Sequence, residues 1–81
     1  MKILKFYTPT CAPCRVVGKI LENVDVEVED INALENIEKV DEYNICTTPT
    51  LIFLDDEGEE FQRTVGVVSE GKIKCILNSC K

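Results

Sequence analysis

Two cysteines three residues apart lie where an apolar run ends and a helical pattern begins. Residues 2–7 form the run, and residues 12–23 place apolar side chains at helical spacing, with Pro13 in a first turn that does not need its missing N–H. Cys11 and Cys14 therefore stand at a helix N-terminus, whose free N–H groups and partial positive charge favour a thiolate. Because the thiolate is the reactive form of cysteine, this junction predicts dithiol–disulfide exchange.

The next part of the chain predicts a second strand followed by a second helix. Residues 24–29 alternate between apolar and acidic side chains, which is typical of a strand with one face in water. Asn32 and Glu35 have the spacing of a helix cap and its capping-box partner. The helix that they would start is predicted to bury a stripe made of Ala33, Leu34, Ile37 and Val40.

The last third of the chain predicts a hairpin and a final helix. Residues 50–54 form a strongly apolar strand, residues 55–58 an acidic turn that ends in glycine, and residues 60–65 the returning strand. Ser69 is the predicted N-cap of the last helix. The apolar side of that helix is formed by Ile73, Ile76, Leu77 and Cys80.

The order strand, helix, strand, helix, hairpin, helix predicts an α/β domain. A strand–helix–strand start implies a parallel pair joined by a right-handed crossover. The hairpin then adds antiparallel strands, so we expect a mixed sheet of four strands. The length of 81 residues suits one small domain, and we expect residues 1–81 to form a single one.

Charge and composition exclude several classes of function. The chain has nine Lys and Arg residues against fifteen Asp and Glu, a net charge of −6, so no basic stripe is available to bind nucleic acid. No apolar run is long enough to cross a membrane, and the first residues turn polar too soon for a signal peptide. We therefore expect a cytoplasmic protein whose five cysteines are catalytic or buried thiols rather than a disulfide framework.

With these motifs in order, the chain resembles the thioredoxin family. The motifs that carry the resemblance span nearly the whole chain: Phe6, Cys11-Ala12-Pro13-Cys14, Tyr43-x-Ile45, Thr48-Pro49-Thr50-Leu51, Glu57-Gly58 and Val65-Gly66-x-x-Ser69-x-Gly71. The resemblance implies a thioredoxin-like fold with strand order 2-1-3-4, in which the first and third helices cover one face of the sheet and the second helix the other. The chain looks like a shortened member without the usual N-terminal strand and helix. It is similar in length to glutaredoxins but lacks their usual aromatic residue between the cysteines.

The same resemblance implies roles for the residues around the two cysteines. Cys11 would be the attacking thiol and Cys14 the resolving thiol of a thiol–disulfide oxidoreductase that reduces protein disulfides. Pro49 matches the family's cis-proline, which faces the cysteines. The substrate groove would be lined by Thr10, Pro13, Thr48, Pro49, Val65 and Gly66. Thr10 stands where thioredoxins usually carry tryptophan, so this groove is less apolar.

A second departure concerns a charged pair beneath the cysteines. Many thioredoxins have a buried aspartate on the first catalytic strand and a partner lysine on the neighbouring strand. The matching positions here are Lys5 and Asp30. Our hypothesis is that the pair has swapped sides, with Asp30 as the carboxylate and Lys5 as the cation of a proton relay for Cys14. In the alternative interpretation, Lys5 is a partly exposed lysine and Asp30 caps the turn before the second helix.

The resemblance also implies partners. No bound cofactor is expected, because the two thiols carry the electrons. A thioredoxin-reductase-type flavoprotein would be the electron donor, with glutathione as the alternative, and we expect a monomer. Zinc would need two further ligands, and the chain has no histidine, so no metal site is predicted. A glutathione-dependent glutaredoxin-like enzyme, a non-enzymatic adaptor and a metal-binding module are the other functions that the sequence leaves open.

Overall fold

Residues 1–79 are the part of the chain that the computed structural model describes, and they contain four strands and three helices in the predicted order. The elements are β1 (Lys2–Tyr7), α1 (Ala12–Leu21), β2 (Glu27–Asn32), α2 (Ile37–Tyr43), β3 (Thr50–Leu54), β4 (Glu60–Val65) and α3 (Glu70–Ser79).

The four strands lie side by side in the order β2-β1-β3-β4 and form one mixed sheet. β1 is parallel to β2 and antiparallel to β3, and β4 is antiparallel to β3. The expected strand order and the mixed character of the sheet are therefore confirmed. All five residues of β3 are buried, because this interior strand has a layer of apolar side chains on each face.

Each face of the sheet packs one apolar cluster. The cluster on one face, which we call the α1/α3 cluster, contains Ile3, Val17, Leu21, Val24, Leu51, Phe53, Ile73 and Ile76. The cluster on the other face, which we call the α2 cluster, contains Leu4, Phe6, Ile31, Ile52 and Leu54, with Val40 and Tyr43 of α2 packed against it. As expected, the first and third helices share one face and the second helix covers the other.

The second strand was predicted three residues too early. β2 begins at Glu27 rather than at residue 24, because residues 22–26 form a tight connection after α1. The Val24 N–H donates to the Leu21 carbonyl over 3.1 Å, and the Val26 N–H donates to the Val24 carbonyl over 3.0 Å. Val24 is buried in the α1/α3 cluster, so the alternating valines begin in the turn and continue into the strand.

The predicted start of the second helix was also wrong. The Asn32 Oδ1 accepts the Leu34 N–H over 2.9 Å and closes a turn at the end of β2, and α2 begins only at Ile37. Leu34 and Ile37 are 67% and 59% exposed, so they do not belong to a buried stripe. Val40 is the member of the predicted stripe that packs against the α2 cluster.

The hairpin and the last helix begin as predicted. The Asp55 carboxylate accepts the N–H groups of Glu57 and Glu59, over 2.9 and 3.0 Å, and Gly58 completes the turn at a φ of +82° that favours glycine. The Ser69 Oγ accepts the Lys72 N–H over 3.2 Å and so caps α3. The predicted apolar residue Cys80 lies outside the described residues.

Candidate active site

The two cysteines of the motif form a disulfide at the N-terminus of α1. Cys11 is the N-cap residue, and its Sγ accepts the Cys14 N–H over 3.2 Å. The Cα atoms of the pair are 5.2 Å apart. The Cys11 N–H in turn donates to the Thr8 carbonyl over 3.2 Å, which holds the loop from β1 against the helix. Pro13 occupies the first turn, as the sequence predicted.

The two sulfur-bearing side chains differ in their access to solvent. Cys14 is 3% exposed, whereas Cys11 is only half-buried. Cys14 is a buried residue of the first turn of α1, whereas Cys11 is the N-cap residue at the end of the helix. A bulky reactant therefore has access to Cys11 before Cys14.

The loop before β3 lies next to the disulfide loop. The Thr8 and Thr48 Oγ1 atoms are 3.5 Å apart and connect the two loops. The Thr48–Pro49 peptide bond is cis, and Pro49 is buried. The Pro49 carbonyl accepts the Gly66 N–H over 2.9 Å, so the end of β4 is joined to the same loop.

The structure brings the predicted groove residues to one end of the sheet. Thr48, Pro49 and Gly66 are linked by the contacts just described, and Val65, which is 59% exposed, pairs with the first residue of β3. The other two, Thr10 and Pro13, lie on either side of Cys11 and are exposed.

The charged pair proposed from the sequence is also brought together. Lys5 and Asp30 lie opposite each other on β1 and β2, with the Lys5 Nζ 3.7 Å from the Asp30 Oδ1. The Lys5 side chain is 12% exposed and that of Asp30 is 62% exposed. A cavity of about 270 Å³ is lined by both charged residues and by Cys11 and Cys14. The pair thus lies beneath the disulfide, with its carboxylate open to water.

Gly18 is a site residue that sequence patterns did not assign to the site. A Cβ atom at this position would lie 2.8 Å from the Lys5 Nζ, so the missing side chain makes room for the ammonium group between α1 and the sheet. The Lys5 Nζ also lies 5.5 Å from the centre of the Tyr7 ring. The signal in the sequence is a glycine in the middle of a helix, which otherwise only weakens it.

The remaining cysteines of the described chain are not part of the disulfide. Cys46 and Cys75 are free and exposed, and Cys46 lies three residues before Pro49. Within residues 1–79, no three His, Cys, Asp or Glu side chains are placed to hold a metal ion together. No helix in the same range is long and apolar enough to cross a membrane.

Comparisons with known proteins agree with the fold and the site. The family model described as Thioredoxin matches residues 1–79. The SPbeta prophage-derived thioredoxin-like protein YosR of Bacillus subtilis (strain 168) is 33% identical over 66 residues, which cover 82% of this chain and 82% of that protein. The thioredoxin of the same organism is 32% identical over 79 residues, covering 90% of this chain and 75% of that protein.

A solved structure shows the same likeness. A mutant thioredoxin from Halobacterium salinarum NRC-1 matches with a TM-score of 0.87 and 28% identity, covering 96% of this chain and 72% of that one. Because the family model spans every described residue and the two motif cysteines form a disulfide, the chain belongs to the thioredoxin family and is a thiol–disulfide oxidoreductase.

Proposed function

We propose that the chain reduces disulfide bonds of other proteins, with Cys11 as the nucleophile and Cys14 as the resolving thiol. The observation that carries this proposal is the unequal exposure of the two thiols: Cys11 is half-buried at the helix end, and Cys14 is 3% exposed. The Cys14 N–H already donates to the Cys11 Sγ, and the same N–H would stabilise a Cys11 thiolate after reduction.

The reaction needs two exchanges of a sulfur–sulfur bond. The Cys11 thiolate attacks one sulfur of the substrate disulfide, which breaks that bond, forms a mixed disulfide and releases a substrate thiolate. The Cys14 thiol loses its proton, and its thiolate attacks the Cys11 Sγ. The second substrate thiolate leaves, the Cys11–Cys14 disulfide forms, and two electrons have passed to the substrate.

The cis-Pro49 loop is the proposed contact for an extended substrate chain. Thr48 precedes Pro49 and adjoins the disulfide loop through Thr8, which supports a role for its backbone groups in binding. Gly66, whose φ is +82°, has open space around it where a side chain would project. Thr10, Pro13 and the exposed Val65 complete the groove.

Lys5 and Asp30 form the proposed proton relay for Cys14. The second exchange requires a base near the buried Cys14 thiol, and the cavity shared by Cys14, Lys5 and Asp30 supports a path for the proton. Asp30 takes the proton and, being 62% exposed, passes it to water. Lys5, 3.7 Å away, stabilises the carboxylate.

The thiols carry the electrons without a bound cofactor. A thioredoxin-reductase-type flavoprotein restores the dithiol, with glutathione as the alternative donor, and the protein acts as a cytoplasmic monomer. These assignments rest on membership of the family, whose members are matched along the described chain.

Reduction of insulin, followed by precipitation of its freed chains, tests the proposed function. With dithiothreitol as electron source, the unmodified chain should accelerate precipitation, and Cys11→Ser should abolish the acceleration. Cys14→Ser should stop turnover but accumulate a mixed disulfide between Cys11 and insulin, which mass spectrometry detects. Turnover of small glutathione mixed disulfides by Cys14→Ser would instead favour the glutaredoxin-like alternative, and no acceleration of insulin precipitation by the unmodified chain would contradict the proposed reduction of protein disulfides.

A pH titration of the Cys14 thiol in the reduced protein tests the relay separately. Alkylation rates of Cys14 are measured from pH 5 to pH 10 in the unmodified chain, in Asp30→Asn and in Asp41→Asn. Asp41 is an exposed residue of α2 on the opposite face of the sheet, so its replacement is the matched control. Asp30→Asn should displace the curve and Asp41→Asn should not; three superimposable curves would rule out the relay.

A further inference from the structure

A groove runs between α1 and the edge strand β2, on the side of the disulfide away from the cis-Pro49 loop. Its volume is about 620 Å³, within the range of small-molecule sites. Lys5, Arg15 and Asp30 line both this groove and the smaller cavity beneath the disulfide. The groove therefore leads from open solvent towards Cys11 and Cys14.

The groove concentrates the positive charge of an acidic chain. Lys5, Arg15 and Lys19 line it, so it holds three of the nine Lys and Arg residues of the chain. Only two of the fifteen Asp and Glu residues, Glu22 and Asp30, do so. The groove is thus a local cationic site on a protein whose net charge is −6.

Two of these cations, Arg15 and Lys19, have no ion-pair partner in the described range, and the third, Lys5, has only the long contact with Asp30. Arg15 and Lys19, four residues apart on one side of α1, form no ion pair or side-chain hydrogen bond with any residue in the described range 1–79. Like charges at this spacing slightly destabilise a helix, and a bound anion would offset their repulsion. The Lys5 ammonium is mostly buried, yet its nearest carboxylate oxygen is 3.7 Å away and it donates no hydrogen bond within that range.

Part of the groove lining is apolar. Val26 and Val28 are half-buried against the α1/α3 cluster, and both line the groove with Leu21 and Val24. A complementary ligand therefore has an anionic group for the cations and an aliphatic part for the valines. Because the groove reaches the disulfide, a thiol on such a ligand would be delivered to a sulfur with which it can react.

We propose that this groove binds low-molecular-weight aliphatic thiols that carry a carboxylate, and that these thiols exchange directly with the Cys11–Cys14 disulfide. The inference rests on the proposed function, since it adds a small electron donor to the same dithiol. It places this donor beside α1, whereas protein substrates contact the cis-Pro49 loop.

The step is an ordinary pair of exchanges. The bound thiolate attacks the Cys11 Sγ, the Cys11–Cys14 bond breaks, and Cys14 leaves as a thiolate that takes up a proton. A second molecule of the thiol, as its thiolate, attacks the ligand sulfur of the mixed disulfide. The small disulfide leaves, Cys11 is released as a thiolate, and two electrons have passed from two thiols to the protein.

The test compares two thiols, 6-mercaptohexanoate and 6-mercaptohexanol. They differ only in the charge of the group at the end opposite the thiol. Each reduces the oxidised chain, which carries Cys46→Ser, Cys75→Ser and Cys80→Ser, and mass spectrometry of acid-quenched, alkylated samples follows the loss of disulfide. At low ionic strength the carboxylate thiol should react about fivefold faster than the alcohol, as expected for one net charge a few ångströms away. In 0.5 M salt the ratio should fall towards one.

Variants show which cations cause the preference for the carboxylate thiol. The quantity compared is the ratio of the rate with the carboxylate thiol to the rate with the alcohol, because a change in the reactivity of the cysteines affects both rates equally. Arg15→Gln with Lys19→Gln should reduce the ratio to about one. Lys72→Gln with Lys74→Gln removes the same charge from α3, outside the groove, and should preserve the ratio. Equal rates for the two thiols with the unmodified groove would overturn the inference, and so would an equal decrease of the rate ratio in both double variants. Insulin reduction measured in parallel separates this failure from failure of the proposed function, which would abolish that activity as well.

Discussion

Gly18 and Lys5 should be energetically coupled, because the absent side chain of one makes room for the ammonium group of the other. Alanine in a helix interior is more favourable than glycine by about 0.8–1.0 kcal/mol. A Cβ atom at position 18 would lie only 2.8 Å from the Lys5 Nζ, and 3.9 Å from its Cε. The ammonium, as the end of a flexible chain, must therefore leave its present position, 3.7 Å from the Asp30 Oδ1.

The displacement of Lys5 lowers the free energy of unfolding through two effects. Loss of a partly screened ion pair costs about 0.2–1 kcal/mol, and a side chain held off its preferred rotamer costs about 0.5–1.5 kcal/mol. Gly18→Ala should thus change the stability of the native chain little, because gain and cost nearly cancel. In a Lys5→Met background, where no ammonium must move, we expect most of the helix-propensity gain of about 1 kcal/mol.

The unmodified chain, Gly18→Ala, Lys5→Met and the double variant form a double-mutant cycle. Urea unfolding of the four oxidised proteins, followed by circular dichroism, measures it. Gly71→Ala in α3 is the control, because a Cβ atom there meets nothing within 4 Å, and its effect should be the same in both backgrounds. Equal effects of Gly18→Ala in the two backgrounds, to within about 0.3 kcal/mol, would refute the proposed contact between Gly18 and Lys5.

Further predictions concern packing, hydrogen bonding and pH. Ile73→Ala should cost about 2–5 kcal/mol in urea unfolding, because Ile73 is fully buried, whereas Leu34→Ala should change stability by less than about 0.5 kcal/mol because this side chain is 67% exposed. Thr50→Val should cost about 1 kcal/mol in the same assay, because the buried hydroxyl donates to the Thr47 carbonyl over 2.6 Å. Hydrogen bonds from Lys2 and then Lys39 lower the pKa of the Glu29 carboxyl, so its contribution to stability is present above its unfolded pKa and lost as the pH falls through its folded pKa. Glu29→Gln should therefore lower the urea midpoint at pH 7 and have no effect once Glu29 is protonated in the folded state. A decrease of equal size at acid pH would contradict this.

The sequence predicted best where local chemistry and long-range pattern agreed. The strand, turn and helix around Cys11 and Cys14 follow from an apolar run, a proline in the first helical turn and helical spacing. Ser69 and the Asp55 turn were also predictable, because their side chains bond the backbone only a few residues away. The register that places Lys5 opposite Asp30 followed from the family pattern.

The errors arose where a local pattern fits two structures. The alternation expected of a strand is present in Val24, Val26 and Val28. Val24, however, is buried although it lies in the turn before β2, so the pattern could not indicate where β2 begins. Asn32 has the spacing of a helix cap, yet its side chain closes a turn at the strand end. Gly18 was visible only as a weak helical residue, because its neighbour Lys5 is thirteen positions away and is brought near by the fold.

The reduction potential of the Cys11–Cys14 pair tests the central claim most directly. It is measured by equilibrating the chain with glutathione and dithiothreitol buffers, with Cys46→Ser, Cys75→Ser and Cys80→Ser to isolate the pair. A reductant of protein disulfides should have a potential at or below the cytosolic glutathione poise, on the order of −240 to −300 mV. A potential nearer about −120 to −180 mV would mark an oxidase or isomerase, and would contradict both the direction of electron flow and the compartment proposed here.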